Sequence, residues 1–210
     1  MRPNRILLET VIITVITLAG MLFISSAKLL FALLPVAYLL IERRLRKRTW
    51  GDLGFNGRTF WADLRASWIL FVLLGFVIQP ATAWWAKTYF PEFLLHVQAR
   101  LPFESGMGCG ILLPLLAVSL IGEEMTYRTL IQGRLAEFIG VPAAIGVASL
   151  LFGLAHFAPG PGMVVFADIG LIVVSSLLYG MLFARRNNLW IVWLAHLLGD
   201  IFGLTILTSV

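Results

Sequence analysis

Glu123 and Glu124 stand side by side at the end of the apolar run Ile111 to Ile121, and Arg128 follows Glu124 at i+4. Three more sets of polar residues interrupt apolar segments. They are His156 in Phe152-Gly153-Leu154-Ala155-His156, the i,i+4 pair His196 and Asp200, and Asp168. Glu124 and Arg128 lie one helical turn apart and can pair. Glu123 is rotated about 100° around the same helix, which leaves it for another partner. One carboxylate held by arginine and a second one left as a base, together with two histidines, suit activation of a water molecule. Glu123 would take a proton from water, His156 would hold that water, and His196 would face the developing oxyanion. This is amide hydrolysis without a covalent intermediate. No Gly-rich phosphate loop is present, and no Ser or Cys sits in a nucleophile motif. Ser175-Ser176 lacks the flanks of an acyl-enzyme site.

These residues need helices to carry them, and the composition says where those helices lie. The chain has 210 residues, 60% of them hydrophobic and 13% charged, against about 45–50% and about 25% in soluble domains. The mean hydropathy is +0.92. An all-α, polytopic transmembrane bundle of about seven spans is predicted, with a short interfacial helix. A charged side chain at the centre of a membrane helix costs roughly 2.5–3.5 kcal/mol, so Glu123, Glu124, Arg128, His196 and Asp200 call for a function that offsets the cost. The net charge of +5 reflects basic loops rather than nucleic-acid binding. The single cysteine, Cys109, excludes an intramolecular disulfide and reads as a small packing residue.

The spans are predicted at 6–24, 27–41, 67–86, 109–138, 143–157, 163–184 and 189–207. Arg2 and Arg5 before the first span superficially resemble a signal peptide, but the apolar stretch is long for one and an uncleaved first helix is expected. Glu42-Arg43-Arg44-Leu45-Arg46-Lys47-Arg48 is read as a solvated loop and marks the cytoplasmic side. Arg134 and Arg185-Arg186 fall on that side too. The N-terminus is therefore expected in the cytoplasm of a multi-pass cell-membrane protein, with the C-terminus outside. Residues 59–65 read as the interfacial helix, and Trp84-Trp85 as an interface belt. Gln79-Pro80 is expected to kink the third span. Residues 87–107, with Pro91, Glu92, His96, Arg100, Pro102 and Glu104, read as a far-side loop with His96 on its surface. Asp168 reads as a cap or interfacial residue. Residues 1–49 are taken as two N-terminal helices with their basic loop, and 50–210 as the core of a single membrane domain.

The motifs Glu-Glu-x-x-x-Arg (Glu123, Glu124, Arg128), Phe-x-x-x-His (Phe152, His156) and His-x-x-x-Asp (His196, Asp200) occur in the order and spacing of a known family. They resemble the CPBP intramembrane glutamic proteases, which include the CAAX prenyl endopeptidases of Rce1 type and bacterial bacteriocin-processing or immunity proteins. Trp50-Gly51-Asp52-Leu53-Gly54-Phe55 and Gly180 to Trp190 are similar to the family's flanking segments, so the resemblance spans about 50–202. It implies Glu123 as catalytic base, His156 holding the attacking water, His196 stabilising the oxyanion, Glu124 and Arg128 shaping the site, and Phe152 packing beside it. It implies a membrane-associated peptide or protein substrate within the lipid bilayer, and neither a metal nor another cofactor. CAAX-processing members commonly carry Asn where this chain has Asp200. Either Asp200 is protonated, or it orients His196 and keeps it cationic; the i,i+4 spacing favours the second. This departure points from prenyl-protein processing toward cleavage of another peptide or protein near the membrane. Two other readings stand beside the protease: a metal-dependent membrane hydrolase using His156, His196 and nearby acids, and a non-catalytic transport or immunity protein with a buried polar network.

Overall fold

The computed structural model describes residues 3–100 and 109–208. Helices α1 (Pro3–Phe23) and α2 (Lys28–Leu45) form an antiparallel pair. The short interfacial helix α3 is Phe60–Ala66, leaving Trp61 exposed as a membrane-surface aromatic should be. Next come α4 (Trp68–Tyr89) and α5 (Pro91–Arg100). Helix α6 (Gly110–Ile139) leads to α7 (Val141–Ala155), α8 (Gly162–Arg186) and α9 (Leu189–Thr208). The predicted all-α membrane bundle is borne out. Among the described residues, five helices (α1, α4, α6, α8 and α9) are long and apolar enough to cross a membrane. Large apolar side chains such as Leu8, Val15, Leu29, Ile69 and Val118 point outward, while Glu42, Glu124, Arg128 and His196 are buried. That inversion is the arrangement lipid demands.

Helix α7 has 15 residues, a rise of about 22 Å at ~1.5 Å per residue, short of a ~30 Å hydrocarbon layer. Starting from the surface loop at Gly140, it stops before the other face. His156 caps its end and is half-buried there. Helix α9 packs against α4, α6 and α8, and Trp193 Nε1 donates to the Ala117 carbonyl of α6 at 2.9 Å. The segment Trp50–Phe55 sets the depth of α9. Gly54 adopts φ +89, and its carbonyl accepts the Leu189 amide at 2.7 Å. A Cβ on Gly54 would stand 3.0 Å from Phe183. The Leu53 carbonyl takes the Thr129 hydroxyl of α6 at 2.8 Å, and the Asp63 carboxylate takes the Asn188 amide at 2.9 Å.

Two stretches depart from α-helical pairing. Leu73–Ile78 of α4 and Met125–Gln132 of α6 are π-helical. The first precedes Pro80, whose ring cannot donate and crowds the carbonyl four residues earlier; a wider turn relieves that conflict. The predicted irregularity at Gln79-Pro80 thus takes the form of a π-helical stretch just before the proline. The second π segment begins directly after Glu124.

Several expectations are corrected. Helix α2 continues past 41 to Leu45, and the basic segment after it is not fully solvated. Glu42 pairs with Arg46, with Arg48 at 3.3 Å and with Arg134 of α6 at 2.8 Å, and Glu9 pairs with Arg46 and accepts the Tyr38 hydroxyl at 2.7 Å. A carboxylate buried in an apolar bundle needs its charge compensated, and these arginines supply it. The far-side loop instead contains helix α5. It folds back so that Phe93 packs with Ala86 of α4 and Val164 of α8. His96 is consequently buried, 3.5 Å from Asp168, which lies inside α8 rather than capping it. Arg2, Pro102 and Glu104 lie outside the described residues, as do the side chains of Arg100 and Cys109.

Replacing Glu42 by Ala leaves Arg134 and Arg46 without their shared carboxylate. The expected loss of unfolding free energy is about 3–5 kcal/mol, the usual cost of breaking a buried pair. Equilibrium unfolding in detergent should show that the Glu42→Ala/Arg134→Ala double variant loses less than the two single variants added together.

Candidate active site

The first histidine motif closes on itself. His156 ends α7, and its Nδ1 lies 2.8 Å from the carbonyl of Phe152, one turn back. A carbonyl only accepts, so Nδ1 carries the proton and, in the neutral ring, Nε2 presents a lone pair. The Phe152 ring is the shared wall of the site. It lies 4.4 Å from His156, 6.2 Å from His196 and 4.8 Å from Tyr127 between ring centres, with the Arg128 guanidinium 5.8 Å away.

On α6, Glu124 is almost completely buried and uses both oxygens. Oε2 accepts Arg128 Nε at 3.0 Å, as the i,i+4 spacing predicted, and Oε1 takes His196 Nδ1 at 2.7 Å. Arg128, fully buried, reaches on to Ser176 Oγ of α8 at 3.0 Å. Tyr179, one turn further along α8, stacks on the His196 ring at 4.6 Å and 27°. One carboxylate therefore joins α6, α8 and α9. Glu123 is half-buried and accepts no hydrogen bond from the described residues; its electrostatic neighbours are His196, Asp200, Glu124 and Arg128.

Asp200 is placed differently from the expectation. Glu124, not Asp200, holds His196 Nδ1. Asp200 Oδ1 stands 3.8 Å from His196 Nε2, too far for a hydrogen bond, and accepts Gln79 Nε2 of α4 at 3.0 Å. The i,i+4 spacing permits proximity, but the other face of the imidazole is already committed to α6. The structure thus gathers Glu123, Glu124, Arg128, Phe152, His196 and Asp200 around two aromatic rings, with His156 against Phe152. Asp168 is not among them. Gln79, Ser176 and Tyr179 complete the surroundings and were not singled out from sequence as site residues. A glutamine directly after the apolar stretch 68–78 was the one available signal for Gln79.

Close helix approach makes this possible. A Cβ on Gly199 would sit 2.9 Å from the Leu74 carbonyl and 3.3 Å from the Tyr179 hydroxyl. One on Gly153 would meet Val173 at 2.5 Å, and one on Gly180 would meet Gln132 at 2.8 Å. Small residues at such crossings let helices pack at backbone distance. Among the described residues, no group of three or more His, Cys, Asp and Glu side chains converges as metal ligands do.

Gly199→Val should force α9 away from α4. The expected cost is about 1–3 kcal/mol, as for other overpacked positions, whereas Gly170→Ala, with nothing within 4 Å of the added carbon, should be close to neutral. Thermal unfolding of the two purified variants in the same detergent checks the contrast.

No curated protein and no solved structure matches the chain. Residues 106–202 match the family model Rce1-like, described as Type II CAAX prenyl endopeptidase Rce1-like. That interval holds all three motifs and omits the Trp50–Phe55 segment. The resemblance drawn from the motifs and this match fall on the same residues, so through 106–202 the chain is similar to the Rce1-like, CAAX-type protease family, and its long apolar helices make it a multi-pass membrane protein.

Proposed function

We propose that the protein is a glutamic-type intramembrane endopeptidase that hydrolyses a peptide bond in a membrane-associated peptide or protein. The observation that carries the reading is the division of labour between the adjacent carboxylates. Glu124 is committed at both oxygens, to Arg128 and His196, while Glu123 accepts no hydrogen bond from the described residues. A water donating to Glu123 and to the lone pair of His156 Nε2 would be positioned for attack. Glu123 takes one proton as the water oxygen bonds to the scissile carbonyl carbon. The carbonyl oxygen gains the negative charge, and His196, protonated at both nitrogens, donates from Nε2 to it while Nδ1 stays on Glu124. The proton on Glu123 then passes to the leaving nitrogen as the C–N bond breaks. Asp200, held by Gln79, borders the oxyanion position.

The family's name supplies the first substrate class to try, a prenylated protein ending in a CAAX sequence. The Asp200 carboxylate beside the oxyanion position supports a substrate other than that one, since an ionised acid donates no hydrogen bond.

Cells carrying Glu123→Gln or His156→Ala should accumulate an uncleaved precursor relative to cells with the unaltered protein. Quantitative comparison of their membrane peptides reads this directly and identifies the substrate. The loss in rate expected for Glu123→Gln is at least about 100-fold, the lower range for a general base. Full processing in Glu123→Gln cells would instead favour a transport or immunity role for the buried polar network.

A further inference from the structure

Two described groups stand near Asp200 Oδ1, and the one within hydrogen-bond reach takes no part in the proposed reaction. Its Oδ1 is 3.0 Å from Gln79 Nε2 and 3.8 Å from His196 Nε2. A charge-assisted hydrogen bond between imidazolium and carboxylate closes to about 2.7–2.9 Å. Asp200 therefore stands about one ångström short of a bond that would cap the ring nitrogen facing the substrate. The amide nitrogen of Gln79 must be the group turned toward the carboxylate, because Asp200, when ionised, only accepts.

The position of Gln79 is built by the backbone on both sides. It is the first residue after the π-helical stretch Leu73–Ile78 and precedes Pro80, so the widened turn decides which way it points. Helix α9 receives its stem between two glycines. A Cβ on Gly199 would lie 3.2 Å from Gln79 Cγ, and one on Gly203 would lie 3.3 Å from Gln79 Cβ. The stem is thus confined, and the amide can reach the Asp200 carboxylate one helical position beyond Gly199. On the other side of His196, Tyr179 stacks flat and Glu124 fixes Nδ1, so the ring cannot turn away from a carboxylate that moves toward it.

We propose that Gln79 is a positioning residue that holds the Asp200 carboxylate off His196 Nε2, keeping that nitrogen open for the substrate oxygen. The inference rests on the protease reading for its consequence in rate, but not for the geometry itself. Without the Gln79 amide, Asp200 swings onto Nε2 and occupies the donor. Removing the charge of Asp200 at the same time removes the competitor. The pair should therefore show suppression rather than additive damage.

Ring-nitrogen NMR on histidine-labelled protein tests the geometry without a substrate, and the chain has only three histidines to assign. In Gln79→Leu the His196 Nε2 signal is expected to move to that of a carboxylate-bonded nitrogen, and in Gln79→Leu/Asp200→Asn to return. Gln79→Met, of similar length and without a donor, carries the same test if the leucine variant fails to fold. The kinetic arm uses two fluorogenic probes, a farnesylated CAAX peptide and an unmodified transmembrane peptide, taking whichever is cleaved in a Glu123-dependent way. There kcat should fall about 100-fold in the Gln79 variants, the scale of a lost oxyanion donor. KM should change less than about twofold, and Asp200→Asn should restore most of the loss. An unmoved Nε2 signal, or a loss in kcat that Asp200→Asn only deepens, overturns the proposal. Glu123-independent cleavage would instead defeat the protease reading, and the NMR result would still stand or fall alone.

Discussion

Everything in the site depends on the charge of Glu124 being compensated within an apolar bundle. A carboxylate away from water is tolerated only with partners for its lone pairs. Glu124 finds them on its own helix, in Arg128, and on α9, in His196. Arg128 in turn is tied to Ser176 of α8. The consequence is geometric as well as electrostatic. The imidazole of His196 is fixed in orientation, Tyr179 can stack on it, and Phe152 closes the space between the two histidines. Glu123, next in the chain to this clamp, is presented to the same space without sharing in it.

The same rule governs the end of the bundle where the basic segments meet. Glu42 and Glu9 gather Arg46, Arg48, Arg134 and Arg5, joining α1, α2 and α6. Outside the membrane spans, Asp52 shows the local version. The Thr49 backbone N–H donates to its carboxylate at 2.7 Å and holds it below the ordinary carboxylate range. Between these anchors, packing is carried by small residues at helix crossings and by outward-facing apolar side chains. No long apolar core of the soluble kind is required, because lipid covers the exterior.

The helices were legible in the sequence because apolar runs of membrane length admit little else. The Glu124–Arg128 contact was legible too, since it is local and fixed by helical spacing. Contacts between helices were not. The choice of Glu124 over Asp200 as the partner of His196 Nδ1 depends on how α6 and α9 cross, and i,i+4 spacing favours the wrong carboxylate. Gln79 was hidden for the same reason, and its flanking π turn has no signature beyond the adjacent proline. His96 was misplaced because the polar, proline-bearing segment around it forms a helix that folds back onto Asp168. In each case the missing information is tertiary: which of several chemically sensible partners the crossing brings within hydrogen-bond reach.

In the proposed site two adjacent, chemically identical residues divide into a base and a clamp. The most direct measurement is the unfolding free energy of purified Glu123→Gln and Glu124→Gln side by side. Glu123→Gln should keep or gain stability, because it removes a half-buried charge that accepts no hydrogen bond from the described residues. Glu124→Gln should lose about 3–5 kcal/mol, because Arg128 is left buried with its counter-charge gone. Equal losses in the two variants, or a larger loss at Glu123, would contradict the division on which the site is built.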